Sequence, residues 1–365
     1  MQPPKVIISG GGTGGHIFPA IAIANAIKEK HPDADILFVG AKGKMEMEKV
    51  PAAGYKIVGL TIAGFQRRLT LKNLSFPFKL LKSLTDAKKI VKEFNPDIAI
   101  GVGGYASGPL LNVAGKLGIP TLLQEQNSYP GITNKLLAKK AHKICVAYDG
   151  MERFFPKEKI VVTGNPVRKD IANLSNNKAE GIRYFNLDNN KQTILIIGGS
   201  LGARTINESI LAYLKEYQKE NVQVIWQTGK LFFEKAKEAS KNFNNIKVHE
   251  FISRMDLAYG VADMVISRAG ALSISELCLV KKPCILVPSP NVSEDHQTKN
   301  AMSLVNKLAA LLVKDVEAIS NLGAKSIELL KNMELREQLS KNIAALGKPH
   351  AADDICNEVL KLIKK

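Results

Sequence analysis

The amino-acid sequence predicts an α/β protein of two domains, each built on a parallel sheet, facing one another across a cleft. Three observations predict it. The chain has 365 residues, which suits two domains of ordinary size. Short apolar runs alternate with helical patterns, and the runs are unbroken rather than alternating, as strands buried on both faces require. That rhythm restarts at residue 193, after a polar, Asn-rich stretch.

In the first half, KVIIS (5–9) is a β-branched run closed by glycines, and a helical pattern follows from Ile17 to Lys30. Further strands are predicted at 36–40, 55–60, 97–101, 120–124, 143–147 and 160–164, with helices near 71–93, 109–117 and 131–140. Residues 170–192 fit a linker with one short helix. Strands then follow at 193–200, 222–227, 246–251, 263–270 and 284–288. Helices fit 202–218, 230–241, 271–279, 296–307, 315–332, 335–345 and 351–364. The expected partition is a first domain over 1–168, a linker region over 169–192, a second domain over 193–348 and a terminal helix within 349–365. In such folds ligands sit at the C-terminal ends of the strands.

Composition excludes several classes. With 45 % hydrophobic and 23 % charged residues, the chain reads as globular. Four scattered cysteines are too few for a disulfide scaffold or zinc cluster, and no HExxH or paired-Cys set exists, so no protein-built metal site is expected. The N-terminus lacks signal-peptide grammar, and no apolar stretch is long enough to span a bilayer. A cytoplasmic protein is expected.

The formal charge of +17 suits nucleic acid, an anionic membrane or an acidic substrate. Its placement discriminates among them. Residues 1–170 carry 25 basic and 13 acidic side chains, and the stretch 65–92 alone holds eight basic residues and one acid. There Phe65, Leu69, Leu74, Phe76 and Phe78 alternate with Arg67, Arg68, Lys72 and Lys79. Apolar side chains entering a headgroup layer while cations meet anionic lipid would use this mixture. A helix packed on its own sheet with a wet basic face is the competing reading. Zinc-finger spacing, RNA-binding aromatic motifs and a compact recognition helix are all missing, so no nucleic-acid partner is expected.

The chemistry concentrates in glycine-rich turns. Gly10-Gly11-Gly12-Thr13-Gly14-Gly15-His16 follows the first strand and opens the first helix, so its amides can face a negative charge. The letters of a dinucleotide fingerprint are present, but no acid closes the second strand and no Gly-Lys-Ser/Thr follows, which disfavours a nicotinamide enzyme and a P-loop. His16 stands where the helix dipole favours a neutral imidazole able to take a proton, or else merely caps the turn. Gly103-Gly104-Tyr105-Ala106-Ser107 ends another strand and offers Tyr105 and Ser107 to a phosphate or sugar. Gln124-Glu125-Gln126-Asn127 puts four polar side chains after PTLL, a pattern that fits ligand contact. In the second half, Gly198–Arg204 repeats the anion-loop logic with Ser200 and Gly202, and Gly270 opens a helix bearing Glu276, which can grip a ribose. Glu294–Ala301 supplies donors and acceptors suited to sugar hydroxyls.

The ordered set GGTGGHIFPA (11–20), GVGGYASGP (101–109), QEQN (124–127), GNPVR (164–168), GGSLGA (198–203), RAGALSISE (268–276) and DHQTKNA (295–301) resembles the MurG family, the bacterial peptidoglycan N-acetylglucosaminyltransferases of the lipid cycle. The resemblance implies two Rossmann-like domains in a glycosyltransferase B-type fold, whose C-terminal helix, here within 349–365, usually crosses back to the first domain. It implies inverting transfer of N-acetylglucosamine from UDP-N-acetylglucosamine to the muramyl 4-hydroxyl of undecaprenyl-diphosphate-linked N-acetylmuramyl-pentapeptide. The enzyme would work as a peripheral protein at the cytoplasmic face of the membrane, beside other cell-wall synthesis proteins, with no resident cofactor.

By motif position, the resemblance places the donor on Thr13, Gly14, Gly15, Asn127, Arg168, Ser200, Gly202, Ile252, Ala271, Leu272, Ser273, Glu276, His296 and Gln297. It places the acceptor on Gly14, Gly15, His16, Gly104, Tyr105 and Glu125. His16 is the first candidate base, Glu125 the rival, and Asn127 stands beside both. Members commonly have His where this chain has Gln124, which cannot act as a base near neutral pH. Another lipid acceptor, or a non-catalytic UDP-sugar-binding scaffold, are the alternatives that a turnover assay separates.

Overall fold

The computed structural model describes residues 3–62, 76–168, 171, 178–199 and 201–363. The described chain divides into two units, one comprising 1–168 with 350–365 and the other 169–349.

The first unit holds a seven-stranded sheet in the order β3-β2-β1-β4-β5-β6-β7, every pairing parallel. Its strands are β1 (Lys5–Gly10), β2 (Asp35–Ala41), β3 (Lys56–Leu60), β4 (Ile98–Gly103), β5 (Thr121–Glu125), β6 (Lys143–Val146) and β7 (Ile160–Val162). The strand order reverses between β1 and β4, so the crevice at their C-terminal ends is the topological switch point where ligands bind in open α/β sheets. Two apolar layers cover the sheet. One includes Ile8, Ile23 and Ile100 with the last helix (Ala351–Ile363), and the other includes Ile7, Leu110 and Leu123. Each such side chain, fully buried, contributes roughly 1.5–3 kcal/mol. The last helix lies on the first, Gly14–Lys30, where Lys30 Nζ donates to Asn357 Oδ1 at 2.6 Å.

The second unit holds a six-stranded parallel sheet, β10-β9-β8-β11-β12-β13. Its strands are β8 (Thr193–Ile197), β9 (Gln223–Gln227), β10 (Ile246–His249), β11 (Met264–Ser267), β12 (Cys284–Leu286) and β13 (Leu311–Leu312). Here the order reverses between β8 and β11. Trp226 is fully buried on β9, its indole Nε1 donating to Asn207 Oδ1 at 2.9 Å, which satisfies the one polar atom that burial would otherwise strand.

Three differences from the sequence reading have physical causes. The region read as a linker is partly core: Ile171 and Phe185 are buried with Leu257 and Tyr259, and the helix Lys178–Tyr184 packs on the helix Met255–Val261. Gly181 permits that approach, since a Cβ there would lie 2.5 Å from Val261 Cγ1. The helix read over 202–218 is two, Arg204–Leu211 and Leu214–Lys219, broken at Tyr213, whose ring occupies the space a side chain at Gly323 would need. And a short helix, Glu46–Ala52, escapes an apolar-pattern search because it buries its first residue, a glutamate.

Candidate active site

In the first unit, β1 runs into Gly10 and the helix begins at Gly14, so the loop between them lies at the switch point. Gly11 N–H donates to Gly103 O at 3.3 Å, tying this loop to the turn after β4. Gly103 and Gly104 both have positive φ, +99° and +92°, and a Cβ on Gly104 would collide with Gly11 O. Only glycine lets the two turns touch there.

His16 is half-buried in the first turn of the helix, with Nδ1 2.9 Å from Gly11 O. A carbonyl oxygen cannot donate, so Nδ1 is the donor in this contact, and in the neutral imidazole the lone pair then falls on Nε2. The Nε2 edge faces Gly103, where a Cβ would come within 2.8 Å of it. Thr13 is exposed, Gly14 half-buried and Gly15 exposed at the helix start, and Tyr105 is exposed on the turn after β4.

A buried carboxylate braces this loop, and sequence reasoning missed it. Glu46, 1 % exposed, accepts Gly12 N–H at 2.9 Å and Ala41 N–H at 3.0 Å, joining the glycine loop to the end of β2. No signal marks it beyond an acid placed five residues after the end of β2 at Ala41.

The QEQN segment differs from its sequence reading. Gln124, Glu125 and Gln126 are buried and bond to the protein itself. Gln124 Nε2 donates to Asn165 Oδ1 at 3.0 Å, Gln126 Nε2 to Gln124 Oε1 and to Val102 O, and Asn165 Nδ2 to Gln126 O. Glu125 Oε1 accepts from Asn127 N and Nδ2, and its Oε2 from Gly131 N and Asn134 Nδ2. Burial pushes the Glu125 carboxyl up from its ordinary value, while those four donors pull it back. Its surroundings are those of a brace for the 125–134 loop, with Asn127, half-buried, on the outer side. Ser107 is likewise internal, its Oγ 2.9 Å from both Ser9 O and Gly103 O.

In the second unit, the loops after β8 and β11 flank the other switch point. Gly202 has φ +79°, and a Cβ there would collide with Thr228 O, so Gly202 is pressed onto the residue that follows β9. Ser200 lies outside the described residues. The helix Ala271–Val280 starts at Gly270 and presents Ala271, Leu272 and Ser273 in its first turn, all half-buried. Glu276 follows, half-buried, with Tyr259 Oη donating to its Oε2 at 3.0 Å. Arg268 anchors the turn, pairing with Asp315 and donating to Val287 O and Pro288 O. His296 and Gln297 open the helix His296–Val305, behind Glu294 and Asp295, two successive residues at positive φ. Gln297 Oε1 accepts Ser289 N–H at 2.8 Å, leaving its amide NH2 to face elsewhere. Ile252 N–H donates to Gln227 Oε1 at 2.9 Å, and Phe251 is exposed beside it. Arg168, in the first unit, is exposed.

Of the basic, apolar stretch, Phe65, Arg67, Arg68, Leu69, Lys72 and Leu74 lie outside the described residues. Phe76 and Phe78 fall in the first turn of the helix Phe76–Phe94. That helix buries Ser83, Ala87 and Val91 and leaves Lys79 and Leu81 exposed. Among the described residues no helix is long and apolar enough to cross a membrane, and no three His, Cys, Asp or Glu side chains gather as metal ligands would.

Two parallel sheets, each with glycine turns and a helix N-terminus at its switch point, define the architecture of the glycosyltransferase B-type fold. The glycosyltransferase family 28 N-terminal domain matches residues 6–146 and the family's C-terminal domain matches 193–355. A UDP-N-acetylglucosamine--N-acetylmuramyl-(pentapeptide) pyrophosphoryl-undecaprenol N-acetylglucosamine transferase of Phocaeicola vulgatus is 60 % identical over 99 % of this chain and 97 % of its own. The protein of the same name from Flavobacterium psychrophilum is 57 % identical over 100 % of this chain and 99 % of its own. The crystal structure of Acinetobacter baumannii MurG superposes with a TM-score of 0.80 at 29 % identity, covering 98 % of this chain and all of that one. The chain belongs to glycosyltransferase family 28 and, within it, to the MurG family.

Proposed function

We propose that the chain transfers N-acetylglucosamine from UDP-N-acetylglucosamine to the 4-hydroxyl of the muramyl sugar in undecaprenyl-diphosphate-linked N-acetylmuramyl-pentapeptide, with inversion and release of UDP. The observation that carries this reading is the near-full-length identity to relatives named for that transfer.

His16 is the base. Its Nε2 lone pair takes the proton of the acceptor hydroxyl, the oxygen attacks the anomeric carbon, and the bond from that carbon to the UDP oxygen breaks. His16 is preferred to Glu125 because all four hydrogen bonds to the Glu125 carboxylate come from the protein's own loop. Glu125 is therefore a positioning residue that sets Asn127. Negative charge grows on the leaving diphosphate, so donors that meet it lower the barrier, a role we give to the amides of 198–203 with Ser200 and Gly202, to the helix start at Ala271, Leu272 and Ser273, and to Arg168. Glu276 accepts from the ribose hydroxyls, the backbone at Ile252 meets the uracil, and His296 and the Gln297 amide meet the N-acetylglucosamine. Thr13, Gly14 and Gly15 serve the substrate diphosphates, with Gly104 and Tyr105 on the acceptor side.

The enzyme acts at the cytoplasmic face of the membrane as a peripheral protein, in company with other cell-wall synthesis proteins. The basic and apolar composition of 65–92, with Lys79 and Leu81 exposed on its helix, supports that placement. The test is transfer of label from UDP-[14C]N-acetylglucosamine into an organic-extractable lipid. Label must enter the lipid phase only with the muramyl-pentapeptide lipid present, and label absent from that phase refutes the reading.

A further inference from the structure

We propose that Gln227 is a positioning residue that fixes the spacing between two segments of the donor site, the diphosphate loop and the nucleobase segment. The inference rests on the reading of 198–203 and 251–252 as UDP-binding.

Gln227 is the last residue of β9, with only 5 % of its surface exposed. Its side-chain amide works in both polarities at once. Nε2 donates to Gly199 O at 3.0 Å, and Oε1 accepts Ile252 N–H at 2.9 Å. Gly199 O also receives Gly202 N–H at 3.0 Å, the bond that closes the 198–203 turn. On the other side, the ladder between β9 and β10 continues past the strand ends through Thr228 N–H to His249 O and Gly229 N–H to Glu250 O. Gln227 adds the next rung, to Ile252. One buried side chain thus holds the glycine turn and the segment after β10 at a set separation.

Only a carboxamide of this length serves. Glutamate offers two acceptors and would set a carboxylate oxygen against Gly199 O. Methionine fills the space and makes neither bond, leaving a carbonyl and an N–H short of a partner.

A ligand that engages both segments gains from their fixed spacing, because binding at the first places it for the second. UDP spans them, whereas uridine and inorganic pyrophosphate each engage one. Loss of the brace therefore penalises UDP more than either fragment. This separates a positioning role from a general loss of packing, which weakens all three alike.

The experiment is competition binding of UDP, uridine and inorganic pyrophosphate to the full-length wild type, Gln227→Met and Gln227→Glu, with thermal melting as a check that each variant folds. Gln227→Met should weaken UDP about tenfold while changing each fragment less than about twofold. The UDP-N-acetylglucosamine KM should rise with the lipid-acceptor KM unchanged. In Gln227→Glu the defect should shrink as pH falls from about 8 to about 6, because a protonated carboxyl regains a donor for Gly199 O. Equal losses for UDP and its fragments, or a Gln227→Glu defect constant with pH, would overturn the inference. A wild type that does not bind UDP would instead overturn the donor-site reading on which it rests.

Discussion

His16 Nδ1 is held 2.9 Å from the carbonyl oxygen of Gly11, and that one contact decides which ring nitrogen is basic. Gly11 is in turn fixed by its N–H bond to Gly103 O, so the His16 ring is tied through Gly11 to the turn after β4.

Changing His16 to Ala should cut turnover by about 100-fold or more while UDP binding stays within about twofold. Steady-state kinetics paired with UDP titration checks it, and near-normal turnover would remove His16 from the role.

Glu276→Ala should raise the UDP-N-acetylglucosamine KM by about 10-fold to about 100-fold, since charge-assisted hydrogen bonds to a ribose are lost. The lipid-acceptor KM should not move. A donor analogue lacking the ribose hydroxyls should be discriminated by wild type and not by the variant. Equal weakening of donor and acceptor counts against the assignment.

Glu46 braces the first glycine loop, so Glu46→Ala leaves Gly12 N–H and Ala41 N–H short of their acceptor, at about 1–3 kcal/mol each. The acceptor KM should rise more than the donor KM. Glu46→Gln, which keeps one acceptor oxygen, should fall between wild type and Ala. An unchanged acceptor KM in a folded Glu46→Ala protein contradicts the bracing role.

Replacing Arg67, Arg68, Lys72 and Lys79 together with Gln should reduce sedimentation with phosphatidylglycerol-containing vesicles, most of all at low salt where charges act over about 10 Å or more. Vesicle binding unchanged by the four substitutions rejects the membrane-facing reading of 65–92.

Burial holds the His249 imidazole below its usual value near 6.5. The unfolded chain therefore binds this proton more readily than the native one. Stability tied to His249 is present above that usual value and is lost as pH falls toward the lower native one. Below about pH 6.5 the wild type should lose Tm faster than His249→Gln, and parallel curves for the two proteins would dismiss the effect.

The sheets are legible in the sequence for a plain reason. A strand buried on both faces must be an unbroken apolar run, and 193–197 and 264–267 read that way. Leu311–Leu312 lies in an apolar run, 308–313, that directly follows a helical pattern and pairs through only two residues at the sheet edge, and the helix Met255–Val261 sits so fully in the core that no polar face marks its period. The glycine turns are legible because close backbone approach needs glycine. The polar groups behind them are not, because their partners are distant in sequence. Asn165 is 41 residues from Gln124 and Glu46 is 34 from Gly12, and local reading therefore took QEQN for a ligand surface and passed over Glu46 altogether.

The central claim is a transfer that couples loss of UDP to a lipid-linked muramyl acceptor. Its most direct test is UDP release from UDP-N-acetylglucosamine by the full-length protein in detergent or vesicles, with and without undecaprenyl-diphosphate-linked N-acetylmuramyl-pentapeptide. Release should rise at least about 100-fold when the acceptor is added, and His16→Ala should abolish that rise. Release that is absent with the acceptor present, or that proceeds equally without it, would contradict the account.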